Sequence, residues 1–361
     1  MKQRKGCGKK YQQGLSLIEL MISLVIGLIL MAAVVQMFVG SRVTYSMQSE
    51  LAKLQENARF SVDFISRDLR MAGYWGCKEH DLYENGIANV LNDDDALYSG
   101  TDWYKPLSFS NGGAAASESD PPASDSITVK FADTENTCVV DLDDTTAEFF
   151  FCSEDHTFTK GDVLVASDCS HMAMFQMTNE NNNLNIERIV HSSNDGEGSA
   201  QPGNCTKGLG IPVDCASTNG TEYDGWNQGT VIQLLKSYRY FVQDNDFGQP
   251  ALYRSAISST AGVAGLSNQE MVEGVESLQI MLGFDTNADD TADCYSNVPA
   301  DCNASEADVV AVRVSLLMRS LEDNITSTPQ SYVLEGEEIT PDDNRLRKVF
   351  TSTITLRNRV L

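Results

Sequence analysis

The chain has 361 residues, 42% apolar and 21% charged, which is the composition of a folded protein and excludes a disordered tail. Its 26 Lys and Arg face 51 Asp and Glu, and the resulting net charge of −25 argues against a body that binds nucleic acid through its phosphates. Nine cysteines without a Cys-x2-Cys pair exclude a zinc ribbon, and their odd number needs a reason.

Residues 1–14 carry Lys2, Arg4, Lys5, Lys9 and Lys10 and no acid. The run 20–39 that follows has no ionisable side chain over 20 residues, the length a helix rising ~1.5 Å per residue needs to cross a ~30 Å hydrocarbon core. The basic flank is expected to stay in the cytoplasm, which sends the rest across the membrane. An ordinary secretory signal fits poorly. Its apolar core runs ~7 to 15 residues ahead of the cut, whereas here the processing candidate, Gly14 before Leu15, precedes a longer run. A plain uncleaved anchor is the other competitor, and Glu19 argues against it. An acid within an apolar span costs about 2.5–3.5 kcal/mol on insertion scales and calls for a partner. A cut after Gly14 supplies one, a new amine at Leu15 about one helical turn from Glu19. The same pairing made between neighbouring subunits would fix axial register in a helical assembly.

Gly14 followed by Leu15-Ser-Leu-Ile-Glu19-Leu-Met resembles the class III signal of type IV prepilins and pseudopilins. The resemblance implies that a prepilin peptidase cleaves after Gly14 and N-methylates Leu15, although the family usually has Phe at the first mature position. Cleavage removes five basic residues and no acid, moving the side-chain charge from −25 to −30. It also removes Cys7. The remaining eight cysteines, sent to an oxidising compartment, read as up to four disulfides. Short loop closure favours Cys294 with Cys302 and Cys205 with Cys215, then Cys138 with Cys152, which leaves Cys77 for Cys169.

Beyond the apolar run, Val43, Met47, Leu51, Leu54, Ala58, Val62, Ile65, Leu69 and Ala72 follow at spacings of three and four, one helical stripe, with Gly73 as its stop. The predicted helix covers 15–72, about 87 Å at ~1.5 Å per residue. From residue 126 the apolar period becomes two. Strands are predicted at 127–132, 147–151, 162–166, 173–178, 184–190, 230–242 and 275–284. Even positions from Val310 to Met318 make 308–319 a half-buried strand, and the last strand runs over 345–360 with Arg345, Arg347, Arg357 and Arg359 on one face. Polar stretches at 92–126, 192–225 and 285–307 read as long surface loops.

The four histidines, His80, His156, His171 and His191, have no i,i+4 partner, and no nucleophile elbow or phosphate-cradling loop is present, so no enzyme is expected. Asp285, Asn287 and Asp289 start like a calcium loop, but Asp290 and Ser296 stand where that loop wants Gly and Glu. An Asn/Asp-rich turn is the favoured reading, and no cofactor is expected. The terminal arginines either meet an acidic neighbour or, as favoured, pair with the chain's own carboxylates.

The stretch from Ile65 to Cys77, Leu164 to Cys169 with Phe175-Gln-Met-Thr178, and Thr353 to Arg359 resemble PilW-type minor pilins. The expected fold is α+β and pilin-like, a long N-terminal transmembrane and amphipathic helix packed on a mostly antiparallel β-sheet body with disulfide-stapled loops. The expected division is a leader at 1–14, a membrane half of the helix at 15–40, an amphipathic half at 41–73 and a periplasmic β-rich domain at 74–361. The resemblance implies an inner-membrane minor pilin that primes the pilus and stays at its tip. Its implied partners are other minor pilins, the major pilin, a large tip adhesin, the prepilin peptidase and the assembly platform, with no direct nucleic acid. A type II secretion minor pseudopilin is the alternative.

Overall fold

A computed structural model describes residues 16–358 apart from 77–86, 93–104, 118, 141–148, 153–155, 180–187, 194–200, 202, 224, 227–228 and 306–307. The chain forms two compact units, residues 1–52 and 53–361. Helix α1 spans Leu17–Leu69. In the first unit, every described side chain up to Tyr45 is exposed, Val43 included. In the second, α1 buries Leu54, Ala58, Ser61, Ile65, Asp68 and Leu69, the 3.6-residue period of a helix laid on a core. The predicted stripe ran through Val62, but Ser61 takes the buried position and Val62 is half-buried. Ser61 fits there because its hydroxyl donates to the Asn57 carbonyl at 2.9 Å and so brings no unsatisfied group into the core.

The helix stops where its carbonyls find new donors. Gly73 takes φ +74°, a conformation a Cβ resists, and its N–H goes to the Lys130 carbonyl at 3.1 Å. The Asn358 side-chain amide donates to the Met71 and Ala72 carbonyls at 3.3 and 3.1 Å, tying the end of the helix to the end of the chain.

Strands follow as β1 (Ala88–Asn89), β2 (Leu107–Ser110), β3 (Ser126–Val139), β4 (Phe149–Phe151), β5 (Val163–Ser167), β6 (Met172–Gln176), β7 (Arg188–Val190) and β8 (Val231–Asp244). The rest are β9 (Pro250–Thr260), β10 (Val263–Glu273), β11 (Val275–Phe284), β12 (Cys294–Ser296), β13 (Val309–Arg319), β14 (Tyr332–Leu334), β15 (Glu337–Ile339) and β16 (Arg347–Thr355). An eight-stranded sheet runs β1-β6-β5-β8-β3-β2, with β9 also on β8 and β10 on β9. Strand β8 is its spine: β3 pairs along one edge, while β5 and then β9 share the other. A second sheet runs β12-β11-β13-β16, and β14–β15 and β4–β7 are two-stranded. Every pair is antiparallel except β1 with β6.

Strands β9 and β10 have no counterpart in the sequence reading. Apart from the buried start of β9, Pro250 to Leu252, their residues do not alternate cleanly, β10 lies on an exposed edge, and the turn between them is Ala261-Gly262 instead of the familiar Asn-Gly. Both turn residues nonetheless take positive φ, 52° and 85°, as a two-residue hairpin requires. Strand β13 is a correction. It is buried on both faces instead of half-buried, because Leu317 packs with Tyr332, Leu334 and Ile339 of the small hairpin on one face while Val312, Val314 and Leu316 are fully buried on the other. The loop 92–126 also contains β2, and 285–307 contains β12 and a single 3-10 turn at Pro299–Cys302.

Two cores lie on opposite sides of β5 and β6: Leu164, Ala173 and Phe175 join Trp226 and Phe150, while Val163, Val165, Met172 and Met174 join Trp75 and Leu235. At the end of β6, Gln176 and Asn204 are fully buried, and the Asn204 side chain accepts the Gln176 N–H at 2.7 Å and donates to the Gln176 carbonyl at 2.8 Å. Gln176 also donates to the Gly161 and Gln201 carbonyls, both at 2.7 Å, so one side chain closes two loops. Disulfides join Cys138 to Cys152, Cys205 to Cys215 and Cys294 to Cys302. Cys169 is disulfide-bonded as well, and Cys77, its expected partner, lies outside the described residues.

The terminal arginines do not share one face of a strand. Arg345 precedes β16 and donates to the Ser320 carbonyl at 3.0 Å, Arg357 follows the strand and is exposed, and Arg359 lies outside the described residues. Arg347 forks onto Glu276 at 2.6 and 2.9 Å and also binds Asp343, so its charge is met within the chain. Hydrogen bonding from Arg347, working against desolvation, holds the Asp343 carboxyl below the ordinary carboxylate range.

Two predictions follow from this packing. Replacing the buried pair with Cys138→Ser/Cys152→Ser is expected to cost about 3 kcal/mol, read from urea unfolding of the oxidised proteins. A carboxyl with a lowered folded pKa contributes stability above its unfolded value near ~3.9 that is lost as pH falls through the folded value. Asp343→Asn is therefore expected to be less stable than the parent at neutral pH, with the gap closing as the pH falls below the ordinary carboxylate range in the same unfolding series.

Candidate assembly site

The first described residue, Ser16, begins α1 as its cap. Its hydroxyl accepts the Glu19 N–H at 3.2 Å, and the Glu19 carboxylate accepts the Ser16 N–H at 3.0 Å through Oε2. This reciprocal pair satisfies two amides that a helix start leaves open and sets an acid at the positive end of the helix dipole. The other oxygen, Oε1, accepts no hydrogen bond among the described residues. Glu19 thus holds its own helix start with one oxygen and has the second to offer. The Ser-x-x-Glu signal for this box stood in the sequence beside Glu19, but Ser16 passed as a motif position without a role of its own. Gly14 and Leu15 lie outside the described residues.

The helix below this cap is apolar and bare. Leu17 is 78% exposed and Met37 76%, and one window of the helix is long and apolar enough to cross a membrane with none of it buried. Among soluble surfaces such an unbroken apolar face marks contact with lipid or protein. Adding a Cβ at Gly27 or Gly40 would meet nothing within 4 Å, so these glycines leave open sites where another helix can approach closely.

In the body unit, α1 is anchored by a polar contact that the sequence reading overlooked. The Tyr240 hydroxyl on β8 donates to Asp68 Oδ2 at 2.5 Å, with Arg254 Nη1 3.9 Å from the same oxygen and its guanidinium 4.5 Å from the Tyr238 ring centroid. Burial raises the Asp68 carboxyl pKa, an effect that the Tyr240 hydrogen bond and then Arg254 and Arg67 reduce. The same burial, with the Asp68 charge, pushes the Tyr240 hydroxyl up. The clue was position. Asp68 stands three residues after Ile65 and four before Ala72, on the stripe and not on the polar face.

The acidic loop after β11 gathers Asp285, Asp289 and Asp293, whose ligand atoms lie within 4.8 Å of one another. Asn287 stands beside them, its side-chain amide donating to Asp293 at 3.3 Å. Asp285 accepts the N–H groups of Asn287, Ala288, Asp289 and Asp290 at 2.7 to 3.3 Å. Desolvation opposes ionisation of Asp285, but these four amides together outweigh it and hold its pKa below the ordinary value. The loop therefore closes on its own backbone. Among the described histidines, His156, His171 and His191 are buried in aromatic packing, His171 lying 4.1 Å from Tyr223 by ring centroids. They have the surroundings of core residues.

Two protein-family models match the chain. One, PilW, described as type IV pilus-assembly protein W, matches residues 239–358, which hold the end of β8 and strands β9 to β16. The other, the prokaryotic N-terminal methylation motif, matches residues 9–35, which contain Gly14, Leu15 and Glu19. No curated protein and no solved structure matches. The two matches support a type IV pilus minor-pilin role, a single-pass membrane anchor, and a structural protein that works with other pilins and their assembly machinery.

Titration of the chain with millimolar calcium is expected to release no saturable heat, since Asp285 is already served by amides. Saturable heat abolished by Asp285→Asn would instead establish a cation loop.

Proposed function

We propose that this chain, with a class III prepilin signal at one end and PilW-family sequence at the other, primes type IV pilus assembly in the inner membrane and then enters the fibre at its tip. The observation that carries the reading is Glu19, half engaged with Ser16 and half open, at the head of a bare apolar helix. In this reading a prepilin peptidase cuts after Gly14 and methylates Leu15. The new amine then lies one residue from Ser16, where it can meet the open Glu19 oxygen of its own chain or of a neighbour. The basic leader faces the cytoplasm, and the body is periplasmic until the subunit is drawn into the fibre. Other minor pilins, the major pilin, a large tip adhesin and the inner-membrane platform are the partners. Twitching and adhesion follow from the fibre, and DNA uptake follows only through it, because a body near −30 repels phosphates.

A type II secretion pseudopilus would use the same signal, and the PilW match over 239–358 favours the pilus. The test is a strain carrying the chain or its variants. Loss of the chain is expected to abolish surface pili and twitching while exoprotein secretion continues; the opposite pattern would establish the secretion role. Glu19→Ala is expected to insert more readily, by about 2.5–3.5 kcal/mol, yet to cut piliation at least about tenfold. Glu19→Gln keeps a capping side chain but no charge and is expected to assemble poorly as well. Normal piliation in both variants would overturn the reading.

A further inference from the structure

On the face of the large sheet opposite Tyr240, four polar residues stand in one row across four strands. Ser108 on β2 pairs with Thr128 on β3, Thr128 with Arg239 on β8, and Arg239 with Ser255 on β9. The two-residue period of a strand therefore puts all four on one side, while Ile127, Val129 and Tyr240 turn the other way into the core. These four residues line a cleft of about 350 Å³, whose apolar wall comes from Leu266 on the same face as Ser255.

Two features of this cleft call for a ligand. Ser255 is only 4% exposed, yet among the described residues its hydroxyl has no hydrogen-bond partner, a state that buried polar groups rarely keep. Arg239 donates to Ser126 Oγ at 3.3 Å and lies 5.6 Å from the Phe241 ring centroid, but among the described residues it forms no ion pair. Arg254, Arg319, Arg345 and Arg347, by contrast, each have a carboxylate within 4.0 Å. No acidic side chain among the described residues lines the cleft, and Lys130 lines it too.

We propose that this cleft binds a small hydroxylated carboxylate of the sugar-acid class. The planar Arg239 fork matches a carboxylate. The hydroxyls of Ser108, Thr128 and Ser255 each donate and accept, as a sugar's own hydroxyls require. Leu266 offers an apolar surface to the C–H face of a ring. A bare phosphate would use the guanidinium and leave the rest of the cleft idle, and a neutral sugar would leave Arg239 unmet. The site lies outside the assembly reading and does not depend on it, because the purified chain either binds such a ligand or does not, whether or not it makes pili.

The test is calorimetric titration of the full chain, disulfides intact and in detergent micelles, with glucuronate, glucose and inorganic phosphate. Saturable binding of glucuronate is expected, with glucose and phosphate each at least about tenfold weaker. Arg239→Gln is expected to weaken glucuronate about 10- to 100-fold, the range for a lost hydrogen bond to a charged group. Ser255→Ala removes one buried hydroxyl, is expected to leave the unfolding temperature unchanged or raised, and is expected to weaken binding about fivefold; it decides the matter if Arg239→Gln does not fold. No saturable heat with glucuronate, equal binding of glucose or of phosphate, or unchanged affinity in the variant that folds would each overturn the proposal.

Discussion

An apolar helix without cover has to be given a solvent other than water, and the other features of the amino-terminal unit follow from that need. Side chains from Leu17 to Val39 stand open, at a cost in water of about 25 cal/mol for each Å² of apolar surface. Lipid meets this need in the membrane, and the helices of neighbouring subunits meet it in a fibre. A helix suits both because it closes its own backbone hydrogen bonds except at its ends, where the amides of the first turn are left open in the apolar unit. The Ser16–Glu19 pair satisfies two of these. Glu19 is therefore not an isolated charge in an apolar span. It is part of the helix start, and its second oxygen lets the same residue take part in assembly.

In the body unit the chain solves the opposite problem, which is to keep polar groups satisfied where water is excluded. Asp68 faces the core and is paired with Tyr240 and Arg254. Gln176 and Asn204 have no exposure and spend their amides on each other and on three loop carbonyls. Glu276 joins Arg319 and Arg347 across the second sheet. Removing one member of such a set leaves its partner buried and unmet, which costs more than the contact itself contributes. Disulfides do related work in loops whose polar sequences cannot bury enough apolar surface to order themselves.

The sheet face carrying Arg239 departs from both patterns. It is polar, partly enclosed and not internally satisfied, and Ser255 is its clearest case. In the second sheet, by contrast, Arg347 meets Glu276. The contrast separates residues that hold the fold from residues whose chemistry points outward.

Periodicity made the long elements legible, because a helix repeats every 3.6 residues and a strand every two, whatever else the chain does. The apolar run to Val39, the stripe through Leu54, Ala58, Ile65 and Leu69, and strand Val275–Phe284 were all open to that reading. Glu19 stood out for a local reason too, an acid in an apolar segment. The sequence by itself thus determined the anchor, its acid and the change from helix to sheet. Only the tertiary structure decided that Ser61 and Asp68 face the core, that β9 and β10 pair through an Ala-Gly turn, and that β13 is covered on both faces. It alone set Thr128, Arg239 and Ser255 side by side. Such contacts join residues far apart along the chain, and a local repeat says which way a side chain turns but not which distant one it will meet.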